Sequence, residues 1–329
     1  MQVLIIGAAG LIGRKLTSRL AAEGALGDQP IEGLTLADVV APAIATELRG
    51  SAKALQLDLS DPETAAVLVA NRPDVIFHLA AIVSGEAEAD FDKGYRVNLD
   101  GTRLLLDAIR CEGKRRPYRP RLVFTSSIAV FGAPLPDRIG DDLATTPLTS
   151  YGTQKAIGEL LVTDYSRRGF LDGIALRLPT ICVRPGAPNK AASGFFSSIL
   201  RDPLAGKEAV LPVSTDVRHW FASPRSAVRF LLQAGRMDLS ALGWRRALNM
   251  PGLSATVGEE IEALQRVAGE RAVALIRHEP DETISRIVRG WARGFDARRA
   301  RELGFVAEKS FDEIIRAHVE DELGGRIVI

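Results

Sequence analysis

Six short apolar runs, "QVLII", "LTLAD", "ALQLD", "DVIFHLA", "RLVFTSS" and "GIALRLP", are set along the first half of the chain with helix-length amphipathic stretches between them. Continuous apolar runs of this length read as strands buried on both faces. Strands that alternate with helices lie parallel, and each crossover places a helix on one face of the sheet. The fold class this predicts is α/β: a Rossmann doubly wound parallel sheet with a smaller, mostly helical C-terminal lobe. At 329 residues the chain exceeds the usual size of one core, which fits two joined lobes. Residues 1–178 are expected to form the first, with 217–250 returning to it, and 179–329 the second. Within the second, "TVGEEIEAL" and "SFDEIIRAHVEDEL" each open on Thr or Ser with Glu three residues later, the capping-box signature of a helix start. Pro179, Pro185, Pro188, Pro203 and Pro212 interrupt residues 179–216, which read as irregular loops.

Charge excludes several function classes. Lys plus Arg, at 42, nearly cancels Asp plus Glu, at 41, so no long-range field recruits nucleic acid or an anionic membrane surface. Small neutral partners or single anions remain. The basic run "KRRPYRPR", residues 114–121, carries two prolines between a helix and a strand and reads as a solvated connection. Cys111 and Cys182 show neither disulfide-like spacing nor a grouping with histidine. They are expected to be packing residues in a reducing compartment, with no metal site. "MQVLIIGAAG" has no basic n-region and its apolar run breaks at glycine, so neither a signal peptide nor a membrane span is expected and the chain reads as cytoplasmic.

"GAAGLIG" places Gly7, Gly10 and Gly13 directly after the first strand, with Leu11 and Ile12 opening a helix. Glycine serves there for the tight turn, for close approach of a pyrophosphate to the backbone, and for packing helix on sheet. Asp38 ends the second strand. A carboxylate there accepts both ribose hydroxyls and repels a 2′-phosphate, which favours NAD over NADP; the alternative is a turn aspartate. Asp58, with Leu59 beside it, is a candidate for the adenine amine, against a helix-capping role for "LSDPE".

Tyr151 and Lys155 stand four apart in "TSYGTQKAIGE" and share one face of a helix. A tyrosine near pKa 10 is a poor base at neutral pH, whereas an adjacent ammonium favours the phenolate. Lowering the value by about three units corresponds to roughly 4 kcal/mol. Ser127, at the end of "LVFTSS", is placed to hold a substrate oxygen beyond the carboxyl edge of the sheet. The alternative is an ordinary surface Tyr/Lys pair.

Five motifs in order, the three glycines, "HLAA" at 78–81, "VNLDGT" at 97–102, "TSSIAVFG" at 125–132 and "YGTQK" at 151–155, resemble the extended short-chain dehydrogenase/reductases, the class that contains the nucleotide-sugar epimerases. "ARRARELGF" followed by "SFDEII" is similar to that family's C-terminus. The resemblance implies Ser127, Tyr151 and Lys155 as the catalytic triad and Asn98 as a supporting helix residue, with simple helix bracing as its alternative. It also implies Leu79, Ala80, Ala81 and Pro179 bordering the cofactor, and a homodimer formed through two helices per subunit.

Departures from the family pattern narrow the chemistry. Ser127 is followed by Ile128 and Ala129, where dehydratases carry Asp-Glu, so elimination lacks its acid and base. Thr180 in "RLPT" and Phe131 in "VFG" replace the Asn and Tyr of galactose-type epimerases. Residues 184–206 and 216–227 are more similar to the D-erythronate dehydrogenase group of the family. A four-carbon sugar acid asks for one or two cations and several small polar side chains: Arg218, Lys190, Asn189, Ser193, Ser84 and Ser127 are the candidates. Arg218 is first for the carboxylate because its planar fork binds both oxygens; a surface ion pair is its alternative. His219 and His78 read as packed residues, and His278 and His318 lack metal-binding partners in the sequence. The expectation is NAD-dependent oxidation of a secondary hydroxyl of a small sugar acid, D-erythronate at C2 in particular. The rivals are a nucleotide-sugar epimerase that retains NAD and a non-catalytic sensor of NAD redox state.

Overall fold

The six apolar runs become strands: β1 (Gln2–Ile6), β2 (Gly33–Asp38), β3 (Ser51–Gln56), β4 (Val75–His78), β5 (Arg121–Ser127) and β6 (Asp172–Leu178). A seventh, β7 (Ala247–Asn249), completes a sheet of order β7-β6-β5-β4-β1-β2-β3. The computed structural model describes residues 1–44, 50–186 and 192–328; Asn189 and Lys190 lie outside them. Pairing is parallel between β1 and β2, β1 and β4, β2 and β3, and β4 and β5. Register aligns Ile6 with Ala37 and His78, and His78 with Phe124. The carboxyl ends of four strands thus form one edge. Strand order reverses between β1 and β4, where open α/β sheets take ligands.

Three helices position the site: α1 (Leu11–Glu23), α2 (Gly101–Arg115) and α3 (Ser150–Arg167). The core against the sheet includes Leu4, Ile6, Ile76, Leu122 and Phe124 from strands, Leu105, Leu106 and Ile109 from α2, and Val162 from α3. Each fully buried side chain of this kind contributes about 1.5–3 kcal/mol.

The chain divides into two units, residues 1–130, 147–177 and 228–248 in the first, and 131–146, 178–227 and 249–329 in the second. Residues 131–146 thus leave the expected first domain, and the returning segment is shorter than 217–250. The cause is hydrogen bonding within the second unit: Asn249 Nδ2 donates to the Ile139 carbonyl at 3.1 Å and Asn249 N to Asp141 at 2.6 Å. The second unit is not purely helical. It holds a three-stranded sheet with Arg218–Ala222 between Leu253–Thr256 and Thr180–Ile181, and a parallel pair of Ala209–Leu211 with Ile276–His278. A helix, Gly194–Leu204, runs through the stretch expected to be irregular, and Pro203 sits inside it. Phe195, Phe196, Ile199, Leu200 and Leu204 are all buried, and that helical spacing outweighs one proline in the last turn.

The two helix starts read from sequence differ in detail. Thr256 and Glu259 close a full capping box on Val257–Ala268. Ser310 caps Phe311–Glu322, but the Glu313 side chain accepts from Lys309 N instead. Cys182 is core, whereas Cys111 is exposed and does not pack, because its α2 face points to solvent.

Glu260, one turn into the capped helix, is fully buried, and neither carboxylate oxygen has a hydrogen-bond partner among the described residues. Burial holds its pKa well above the ordinary value. A folded-state pKa above the unfolded one means that Glu260's contribution is fully present below about pH 4.5 and is lost as pH rises toward the folded value. Glu260→Gln is therefore expected to gain stability over the parent at pH 8 relative to pH 4, by about 1.4 kcal/mol for each pH unit that separates the folded from the unfolded pKa. Urea melts at both pH values measure this; a difference independent of pH would refute the assignment.

Candidate active site

The turn after β1 is built around the absence of side chains. Gly7 has φ +92°, and a Cβ there would lie 2.6 Å from Ala80 N; one on Gly13 would lie 2.1 Å from the Gly7 carbonyl oxygen. The 7–13 turn and the 79–81 segment therefore pack backbone to backbone, and Leu79 N and Ala80 N both donate to the Ile6 carbonyl at 2.8 and 3.0 Å. Gly10 opens α1 in extended conformation with no side-chain cap. The first-turn N–H groups of Leu11, Ile12 and Gly13 have no carbonyl one turn back in the helix to pair with, as at every helix start. Asp38 accepts from Ala9 N at 2.9 Å and from Val40 N at 3.3 Å, so it braces the glycine turn as well as ending β2. This cradle, which any side chain at position 7 or 13 would fill, fits a dinucleotide pyrophosphate. Asp58 is exposed and turns onto Ser60, accepting from its N–H at 2.9 Å and its hydroxyl at 2.7 Å. That is an Asx turn rather than a cap on the next helix. Leu59 is buried beside Gly101.

The chemical residues meet because α3 starts unusually close to the end of β5. Thr149 caps the helix by accepting from Gly152 N at 3.0 Å. A Cβ on Gly152 would stand 2.2 Å from the Ala129 carbonyl oxygen, so only glycine lets this turn of α3 sit there, at about 1 kcal/mol of helix propensity. Tyr151 is thereby brought to the Ser127 side chain, which favours its phenolate. Ser127 Oγ accepts from Ala129 N at 3.1 Å, which keeps its hydroxyl hydrogen as a donor. Lys155, buried one turn on, donates from Nζ to the Thr125 carbonyl at 2.8 Å, and Nζ lies 5.7 Å from the Tyr151 ring centroid.

Electrostatics here differ from the reading of the sequence in one respect. Burial pushes the Tyr151 phenol up to about 12, against the Ser127 hydrogen bond that favours the phenolate. Burial likewise lowers Lys155 to about 7, opposed by Glu159. Spacing alone suggested a tyrosine lowered by its lysine; desolvation of both groups outweighs that pairing in the ligand-free chain.

Asn98 is buried in a π-helical segment, Tyr95–Asp100, just before α2. Its Oδ1 accepts from Ile82 N at 2.9 Å, and Nδ2 donates to the Ile82 carbonyl at 3.2 Å and to Gln154 Oε1 at 2.7 Å. It ties the loop beyond β4 to α3. Ser84 opens a short helix, Ser84–Ala89, whose Glu88 accepts from Ser150 N at 3.0 Å. His78 bonds Thr102 at 2.9 Å and is lowered to about 3 by burial.

Other assigned residues belong to the second unit. Pro179 is buried directly after β6. Ser193 accepts from Arg184, an arginine the sequence reading passed over, at 3.2 Å through its hydroxyl and 3.0 Å through its carbonyl. Arg218 donates to the Ser254 carbonyl at 3.2 Å and pairs with Glu259 at 3.2 Å, with 38 % of its side chain exposed. His219 is packed: Nδ1 bonds the Ala292 carbonyl at 3.0 Å, Nε2 meets Thr180 Oγ1 at 2.7 Å, and the ring stacks on Phe196. His278 Nε2 bonds the Val213 carbonyl at 3.1 Å. Among the described residues no group of three or more His, Cys, Asp or Glu is arranged to hold a metal ion.

With this geometry in view, comparisons with known proteins are specific. Residues 3–236 match the NAD dependent epimerase/dehydratase family. The chain is 49 % identical over 325 residues to a D-erythronate dehydrogenase of Cupriavidus necator, covering 98 % of each. It is 42 % identical to a D-erythronate dehydrogenase of Haemophilus influenzae, covering 98 % of this chain and 100 % of that one. A crystal structure described as the nucleoside-diphosphate-sugar epimerase from Agrobacterium tumefaciens superposes with a TM-score of 0.97 at 66 % identity, covering 99 % of this chain and 95 % of that one. The glycine cradle, the Ser127–Tyr151–Lys155 cluster and these full-length likenesses place the chain in the NAD dependent epimerase/dehydratase family.

Proposed function

We propose that this chain is an NAD-dependent dehydrogenase that oxidises a secondary hydroxyl of a short sugar acid, with D-erythronate to its 2-oxo acid as the specific reaction. The observation that carries the proposal is the placing of Tyr151 by the Ser127 side chain one helical turn from a buried Lys155, in a chain 49 % identical to a D-erythronate dehydrogenase. Ser127 and Tyr151 hold the substrate oxygen between them, and Tyr151 takes its proton. Lys155 would hold the cofactor's ribose and supply the positive charge that favours the phenolate. NAD, when bound, supplies the hydride acceptor; Gly7, Gly10, Leu11, Ile12 and Gly13 hold its pyrophosphate, and Asp38 its ribose. Arg218 takes the carboxylate: its pairing with Glu259 is half exposed, and such pairs are worth about 0–1 kcal/mol, so a substrate carboxylate can replace Glu259. A cytoplasmic homodimer is part of the same proposal.

A second reading, epimerisation of a nucleotide sugar, is favoured by the name of the Agrobacterium structure. Both reactions begin with the same hydroxyl oxidation, but an epimerase keeps its NADH bound and returns the hydride. Phe131, buried against Phe295 with centroids 5.9 Å apart, has no hydroxyl to offer a sugar, which weighs toward the dehydrogenase.

Absorbance of free NADH separates them. Mixing the protein with NAD and a panel of aldonates should give a stoichiometric rise with D-erythronate, reduced at least about 100-fold by Tyr151→Phe with NAD affinity preserved. Silence with every acid and interconversion of a nucleotide sugar would establish the epimerase. A Tyr151→Phe protein with full biological activity would establish a sensor.

Cofactor choice gives another test. Asp38→Asn keeps an acceptor for Ala9 N but removes the charge, so discrimination against NADP should fall by about tenfold or more, equivalent to 1.4 kcal/mol, with a smaller loss for NAD. Unchanged kinetics with both cofactors would remove Asp38 from the ribose site.

A further inference from the structure

An ammonium enclosed by protein needs an answering charge, and the next turn of α3 beyond Lys155 carries a buried carboxylate. Glu159 and Arg177 of β6 are both buried, each with 6 % of its side chain exposed. Arg177 Nε donates to the two carboxylate oxygens at 2.9 and 3.2 Å and Nη2 donates to Oε2 at 2.8 Å, while Ser126 Oγ donates to Oε1 at 2.5 Å. Two consecutive residues near the end of β5 are thereby tied to α3, Thr125 through its carbonyl to Lys155 and Ser126 to Glu159, and the next, Ser127, acts on Tyr151.

We infer that Glu159, anchored by Arg177 and Ser126, is a positioning residue of the site: its carboxylate keeps Lys155 in the ammonium form and fixes the register of α3 that sets Tyr151 beside Ser127. This rests on reading Ser127, Tyr151 and Lys155 as the chemical centre. Lys155 is lowered to about 7 by burial, and Glu159 is the group that opposes the fall, so at neutral pH the charge depends on it. The other groups facing Lys155 do not supply an anion. In the ligand-free chain Tyr151 on α3 is a neutral phenol and His78 on β4 is neutral above about 3, while Arg177 on β6 pairs with Glu159. The end of β5 offers the Phe124 ring, 4.8 Å from Nζ, and the Thr125 carbonyl. The Asn98–Gln154 pair is uncharged.

The test is a 13C NMR titration of the lysine Cε resonances, with Lys155 assigned by its loss in Lys155→Met. Glu159→Gln, nearly isosteric, should lower the Lys155 midpoint by about one pH unit or more and lower kcat at pH 7 with KM little changed. Glu159→Asp, which keeps the charge, should restore both in large part. Glu159→Gln combined with Arg177→Met avoids leaving the Arg177 guanidinium unpaired and provides the same readout should the single variant not fold; it should still lower the midpoint, by less. A midpoint unmoved in either neutral variant, with only the melting temperature changed, would overturn the inference and leave Glu159 a brace. The titration needs no substrate, so a chain that oxidises no aldonate would fail the functional proposal while leaving this result to stand or fall by itself.

Discussion

The carboxyl edge of the sheet holds a lysine out of water, and its neighbours are arranged around it. Placing an ammonium in protein interior costs several kcal/mol unless hydrogen bonds and an opposite charge answer it. Here three elements take part: β5 gives Lys155 a carbonyl, α3 carries Glu159 four residues on, and β6 gives the arginine that holds Glu159 in place. Each of those bonds also fixes geometry. The same contacts that make Lys155 tolerable bring Tyr151 against Ser127, so electrostatic cost and catalytic placement are met by one set of hydrogen bonds.

That arrangement explains why Gly152 must be where it is. α3 has to approach the end of β5 closely enough for residues 151, 155 and 159 to reach residues 127, 125 and 126 in turn. A side chain at 152 would meet the Ala129 carbonyl at 2.2 Å and lift the first turn away. Loss of helix propensity at one position is small beside several buried polar contacts left unmade, each worth about 1–3 kcal/mol.

Much of this was legible in the residues. Strand spacing and the glycine turn define the sheet and its cofactor end because both are local patterns with period and position. The four-residue spacing of Tyr151 and Lys155 put them on one helix face for the same reason. What was not legible depends on approach distances between elements. Whether the tyrosine pKa rises or falls depends on the burial around its hydroxyl, which no spacing reports. Glu159 lay in plain view in "TSYGTQKAIGE", at a second four-residue step from Lys155, yet its role needs Arg177, on a strand 18 residues away. The helix Gly194–Leu204 was hidden by weighting Pro203 above the apolar period around it. The division of 131–146 from its neighbours followed from hydrogen bonds made by Asn249, more than a hundred residues later.

A different kind of constraint operates in the second unit. The Ala292 carbonyl can only accept, so His219 must carry its proton on Nδ1, and with the ring lowered to about 4 it stays neutral. Nε2 is then an acceptor, and the Thr180 hydroxyl must donate to it. A ligand group approaching Thr180 therefore meets an oxygen that only accepts, where the asparagine of galactose-type relatives would both donate and accept. A buried, tautomer-fixed histidine can in this way set the polarity of a neighbouring position.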